Sequence, residues 1–154
     1  MTAKIARIAK ESLMLKLRSP LSESEEALVN KTIGCGIEVH RVLGPGYRER
    51  IYQRAFQLEL ESRGLTFECE KPIDVRYKDW KIPGQRIDLI VGGVIIVELK
   101  SVPRIKPLHR RQLVSYLRST ELKVGLLMNF NTTMLKNGLV RIVCEANRRD
   151  SSRS

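Results

Sequence analysis

Two β-branched apolar runs, 87–91 and 94–99, flank a Gly92-Gly93 pair and predict a β-hairpin. Nearly every position in both runs is apolar, so both faces of the hairpin are expected to be covered. Upstream, Ser22-Glu23-Ser24-Glu25 has the form of a capping box and places a helix start there. Val29, Ile33 and Ile37 recur at four-residue spacing and predict its buried stripe, with His40 close to it. Leu43-Gly44-Pro45-Gly46 breaks that helix. A second helix is predicted from about Tyr47 to Arg63, stopped by Gly64. Glu49, Tyr52, Phe56 and Glu59 mark one of its faces, and Ile51, Ala55 and Leu58 a neighbouring one.

Leu65, Phe67 and Cys69 alternate with polar residues and predict a half-buried strand, a pattern that Ile73, Val75 and Tyr77 repeat beyond Pro72. Lys78-Asp79-Trp80 and Pro83-Gly84 read as turns. After the hairpin, Pro103 and Pro107 frame a short loop. Residues 108–119 read as a helix with Leu113 and Leu117 inward and with Gln112 and Tyr116 together on one face. Residues 124–130 suit a buried strand, and 139–143 a last short one. This order predicts one α/β (α+β) domain, a mixed sheet flanked by helices.

The length of 154 residues suits a single domain with a real core. Lys and Arg total 28 against 17 Asp and Glu, a net charge of +11. That excess favours a polyanionic partner, nucleic acid before membrane. No apolar run approaches the length of a membrane span. The three cysteines are scattered, with no Cys-x-x-Cys pair, so neither a zinc site nor a disulfide framework is indicated. Reduced thiols and a cytoplasmic location are expected. Residues 1–20 read as a loosely ordered basic arm rather than a transit peptide, since Glu11 interrupts them. The domain body is expected over 21–144, followed by a disordered basic tail over 145–154.

The covered hairpin carries three charged groups, Asp88, Glu98 and Lys100. Ionised groups in a covered strand are costly unless paired or bound to a metal. Glu98 and Lys100 are two residues apart and share a face of their strand. Two readings are evenly open: an ion pair at the sheet margin, or a divalent-metal site that activates a water. The second constrains the hairpin. A two-residue turn at Gly92-Gly93 would put Asp88 and Glu98 on opposite faces. A shared site therefore predicts a register shifted by one. The expected form is a loop of Val91-Gly92-Gly93 with Gly93 at positive φ, Asp88 across from Ile96 and diagonal to Glu98.

These residues also carry a resemblance. Asp88, followed by Glu98-Leu99-Lys100 at the end of the next strand, resembles the D…E-x-K core of the PD-(D/E)XK nuclease superfamily, with Ile87 where the superfamily name has Pro. Gln112-x-x-x-Tyr116 is similar to the Q-x-x-x-Y motif of its RecB-like and Cas4-like branch. Gly46-Tyr47-Arg48-Glu49-Arg50-Ile51-Tyr52 resembles the G-x-x-E-x-x-Y signature of the GxxExxY protein family, and 108–113 and 125–131 look like the same family. The resemblance covers about residues 25–143.

The resemblance implies a restriction-endonuclease-like core, a mixed β-sheet of at least four strands between helices. It implies a phosphodiesterase site dependent on Mg²⁺ or Mn²⁺, with Asp88 and Glu98 as hard oxygen ligands. Lys100 would then orient the attacking water and stabilise phosphate charge. Glu49 resembles the first-helix glutamate that reaches such a metal; alone it reads as a helix-start glutamate favoured by the dipole. Gly36-x-x-x-His40 resembles a G-x-x-x-H metal element, which makes His40 a secondary candidate ligand against the reading of a satisfied core histidine. Gln112 would hydrogen-bond a site carboxylate or the substrate, and Tyr52 and Tyr116 would support the site or simply fill the core. Arg86, Arg104, Lys106, Arg110 and Arg111 are candidate phosphate contacts or a solvated face.

Two functions follow. One is a metal-dependent nuclease with DNA as the expected substrate, for which a homodimer would suit the cutting of two strands. The other is a non-catalytic nucleic-acid-binding or assembly module on the same fold. Asp88, Glu98 and Lys100 together favour the nuclease, because acidic groups beside a phosphate repel it unless a cation intervenes.

Overall fold

The computed structural model describes residues 2–7 and 19–145. Residues 2–7 are helical and exposed; residues 1 and 8–18 of the expected basic arm, and the tail from residue 146, lie outside the described residues. Helix α1 (Glu23–Leu43) starts on the capping box. The Ser22 hydroxyl accepts the Glu25 N–H at 3.1 Å, and the Glu25 carboxylate accepts the Ser22 N–H at 3.0 Å. Helix α2 spans Glu49–Ser62 and α3 spans Pro107–Thr120. The strands are β1 (Phe67–Tyr77), β2 (Trp80–Val91), β3 (Ile95–Lys100), β4 (Val124–Asn129) and β5 (Leu139–Val143).

They form one five-stranded sheet in the order β1-β2-β3-β4-β5. Only β3 and β4 run parallel, and α3 makes the crossover between them. The expected mixed sheet is therefore present, with one strand more than the expected minimum. Helices α1 and α2 cover one face through Val29, Val39, Tyr52 and Phe56, against Leu89, Val97 and Met128. Helix α3 covers the other through Leu113, Tyr116 and Leu117, against Ile90, Ile96 and Leu127. Two glycines allow this close approach. A Cβ on Gly36 of α1 would stand 2.6 Å from Met128 Sδ, and one on Gly125 of β4 would stand 2.6 Å from a Leu113 methyl.

Several local expectations change. The buried face of α1 is Val29, Thr32, Cys35, Gly36, Val39 and His40, and Ile37 is 52% exposed. A spacing of four overshoots the turn of about 3.6 residues by some 40° per step, which rotates Ile37 out to solvent. On α2 the buried residues are Tyr52, Phe56 and Leu60, whereas Ile51 and Leu58 are exposed. The stretch 67–77 is one strand rather than two, and it tolerates Pro72 because β1 is an edge. Lys78 and Asp79 make the expected turn, but Trp80 already belongs to β2. Pro83-Gly84 is not a turn. It lies where the pairing slips from Ile73↔Gln85 to Val75↔Ile82, a bulge in a continuous strand, with Gly84 at φ 117.

The hairpin register is shifted by one, in the opposite sense to that expected. Val91 pairs with Ile95, Ile90 with Ile96 and Leu89 with Val97, so the loop is Gly92-Gly93-Val94. Both glycines have positive φ, 59 and 68, and the Val94 N–H closes the turn on the Val91 carbonyl at 3.0 Å. A second irregularity falls at Asp88. Ile87 packs into the α3 side, Leu89 into the α1/α2 side and Ile90 into the α3 side again. Simple alternation would place Ile87 and Leu89 on one face, so β2 twists out of step at Asp88. Cys69↔Leu89 and Lys71↔Ile87 bracket the same point on β1, where Glu70 has φ 53, a left-handed conformation rare for a residue with a side chain.

Candidate active site

The β2–β3 ladder ends at Leu89↔Val97, and just beyond it Asp88 and Glu98 stand close enough for each carboxyl to act on the other. Asp88 is not across from Ile96 as expected, since Ile90 takes that place. Glu98 is 3% exposed, and its Oε1 has no hydrogen-bond partner among the described residues. Burial pushes the Glu98 carboxyl up to about 8, Asp88's charge adds to the rise, and Lys100 opposes it. Asp88 is half-buried and is also raised, first by burial and then by the charge of Glu70, against the pull of Lys100. Two carboxylates held this way are costly to ionise together without a cation.

Lys100 closes β3 opposite Asn129 of β4. Its charge acts on Asp88, Glu98 and Glu49 and, across at the start of α3, on His109. His109 is lowered first by burial and then by Lys100; its Nδ1 accepts the Lys106 N–H at 3.0 Å and fixes the first turn of α3. The segment after Lys100 is held by Asn129, which is 1% exposed: Oδ1 accepts the Val102 N–H and Nδ2 donates to the Val102 carbonyl.

Glu49 is the first residue of α2, and burial raises its carboxyl, with Lys100 lowering it and Asp88 raising it. The G-x-x-E-x-x-Y spacing has a physical account here. Tyr52 is fully buried, stacked on Phe130 with centroids 4.5 Å apart. Its hydroxyl donates to the Gly44 carbonyl at 2.6 Å and accepts the Tyr47 N–H at 3.2 Å. Gly46 supplies the positive φ of 110 that this turn requires. The Ser101 hydroxyl then donates to the Tyr47 carbonyl at 2.7 Å, tying the loop before Glu49 to the loop after Lys100. Tyr52 thus locks the entry to α2 and sets where Glu49 stands. Tyr52→Phe removes both bonds of a buried hydroxyl and is expected to cost about 1–3 kcal/mol in urea unfolding. An unchanged midpoint would show that the loop is held elsewhere.

On the α3 side, Gln112 and Gln85 each donate an amide N–H to the Tyr116 hydroxyl, at 2.9 and 2.7 Å. Tyr116 is raised first by burial, and the charges of Glu98 and Asp88 add to the rise, so its phenol borders the carboxylate pair. Gln112 therefore meets the site through Tyr116. His40 is 8% exposed; its Nε2 bonds the Thr132 carbonyl at 2.8 Å and its ring packs near Phe130. Arg86, Arg104, Lys106, Arg110 and Arg111 are all exposed. The residues that sequence reasoning missed are Glu70, Gln85, His109 and Asn129. Only counting back from Asp88 along the paired strand could have found Glu70, and that needs the register.

Among the described residues, no three His, Cys, Asp or Glu side chains stand close enough together to hold an ion by themselves. Asp88 and Glu98 nevertheless fit a hard cation. They are oxygen donors, one oxygen is buried and unpartnered, and Mg²⁺ often takes one or two carboxylates and completes its shell with water. Among the described residues, no helix is long and apolar enough to cross a membrane. A family model described as the PD-(D/E)XK nuclease superfamily matches residues 26–142. No curated protein and no solved structure gives a significant match.

Proposed function

The chain belongs to the PD-(D/E)XK nuclease superfamily, and from that premise we propose that it hydrolyses phosphodiester bonds of DNA with the help of Mg²⁺ or Mn²⁺. The observation that carries this reading is the buried Glu98 oxygen beside Asp88, which has no hydrogen-bond partner among the described residues. A module that only binds nucleic acid gains nothing from burying a carboxylate beside a phosphate site. A bound divalent cation supplies charge neutralisation and a more acidic water.

The chain's own groups do the rest. Asp88 and Glu98 would hold the cation, with Glu49 as a further acidic group toward the same site. Lys100 directs its ammonium to the attacking water and to the charge that grows on the phosphate. Gln112 and Gln85 fix the Tyr116 phenol beside the carboxylates and so limit how they can turn. Arg86, Arg104, Lys106, Arg110 and Arg111 position the phosphate backbone.

Titration calorimetry with Mn²⁺ tests the metal assignment without reference to turnover. Wild-type protein is expected to bind, and Asp88→Asn to bind at least about tenfold more weakly. Equal affinity in the two proteins would remove Asp88 from the metal site.

A further inference from the structure

Strands β1 and β2 continue past the rest of the sheet as a two-stranded ribbon that turns at Lys78-Asp79. Val75 pairs with Ile82 and Tyr77 with Trp80, so these four residues share one face of the ribbon. They are 41, 49, 58 and 72% exposed. A two-stranded ribbon with a bare apolar face does not stabilise itself, so this face has a use outside the core. The surrounding charge says which partner suits it. The Lys78 ammonium lies 5.4 Å from the Tyr77 ring centroid, on the aromatic side. Arg76 and Lys81 pair on the opposite face and, with Arg118, line a cleft of about 660 Å³ beside the end of α3. Among the described residues, none of Arg76, Lys78 and Lys81 forms a salt bridge. Asp79 in the turn and Glu68, Asp74 and Glu121 at the cleft offset part of this charge, Glu68 already being paired with Lys71.

We propose that this ribbon is a substrate arm on which unpaired bases of a single-stranded DNA segment stack against Trp80 and Tyr77, with Lys78 on the same side meeting the phosphates and Arg76 and Lys81 on the reverse face adding to the attraction. Flat aromatic faces beside cations are the pairing that holds single strands without regard to sequence. Bases inside a duplex have both faces covered, so the arm selects single-stranded or frayed segments. Trp80 is eight residues from Asp88 along β2, a path of at most about 27 Å, within reach of a strand seated at the carboxylates. The inference rests on the nuclease reading for the identity of the substrate but not on catalysis.

Trp80 is the only tryptophan of the chain, so its own fluorescence reports the contact. The full chain in EDTA, where no metal-dependent cleavage occurs, is titrated with a short single-stranded oligodeoxynucleotide, and binding is followed separately by anisotropy of a labelled oligonucleotide. Expected are saturable quenching of Trp80 at the affinity seen by anisotropy and a loss of about 10- to 100-fold in affinity for Trp80→Ala. Binding without quenching, or with Trp80→Ala at wild-type affinity, overturns the arm and leaves the nuclease reading standing if Mg²⁺-dependent cleavage persists. Quenching in a chain that never cleaves keeps the arm and removes the nuclease reading. Emission that shifts with protein concentration alone, together with a sedimenting dimer lost in Trp80→Ala, assigns the face to a second copy of the chain and overturns the proposal.

Discussion

Glu98→Gln is expected to abolish cleavage and, in the same protein, to raise stability in the absence of metal. Among the described residues the carboxyl has no partner for one of its buried oxygens, and burial pushes it up to about 8. The sign follows from linkage. A group whose pKa is raised on folding stabilises the fold while it stays protonated, and that contribution is lost as pH rises through the folded value. Metal-free wild-type protein should therefore lose stability between about pH 4.5 and pH 8 and stay at the lower level above it. Asp88 and Glu49, both raised, act in the same direction. Glutamine keeps the shape and cannot ionise. At pH 9 in EDTA the gain is on the order of 4 kcal/mol, or roughly 10 °C in Tm for a chain of this size. Added Mn²⁺ should narrow the gap, because the wild type is expected to bind it and the variant to bind it poorly. Thermal melts across pH 4–10, with and without Mn²⁺, read all of this. Glu98→Gln melting below wild type at pH 9 would mean that the carboxylate is satisfied by something other than a cation.

Lys100→Ala should separate binding from chemistry. Lys100 acts on three carboxyls at once and stands at the end of β3 beside the pair. Removing its charge leaves Asp88 and Glu98 with less compensation, so Mn²⁺ affinity should hold or rise slightly. The charge that develops on the phosphate would lose its stabilising partner, which is expected to lower turnover by about 10²- to 10³-fold. Single-turnover cleavage together with Mn²⁺ calorimetry distinguishes these effects. A parallel fall in metal affinity and rate would make Lys100 a structural ion-pair partner instead.

The sequence shows some of this clearly and some of it not at all. The order of Asp88, Glu98 and Lys100 is readable because charge in a covered apolar run is rare enough to stand out. The need for a shifted register is also readable, since side chains alternate faces and one site needs one face. The direction of the shift is not. It depends on whether Val91 or Val94 joins the loop, two β-branched residues that differ little in local preference. Glu70 is hidden for a related reason. Its relevance comes from a left-handed backbone opposite Asp88, and nothing in Cys69-Glu70-Lys71 signals it. Tyr52 looks like one more aromatic on a helix face, and its part in holding the loop before Glu49 emerges only once Gly44 and Tyr47 are placed around its hydroxyl. Pro83-Gly84 has the composition of a turn, yet the edge ribbon absorbs it as a bulge because neither strand must continue a ladder there on both sides.

The central claim, that Asp88 and Glu98 form a metal-dependent phosphodiesterase site, is tested most directly by cleavage of labelled single- and double-stranded DNA. Wild type and Asp88→Asn are compared in Mg²⁺, in Mn²⁺ and in EDTA. Cleavage is expected for wild type with either cation, none in EDTA, and none for Asp88→Asn under any condition. Undiminished cutting by Asp88→Asn, or no cutting by a folded wild-type protein at millimolar Mg²⁺ and Mn²⁺, would contradict it.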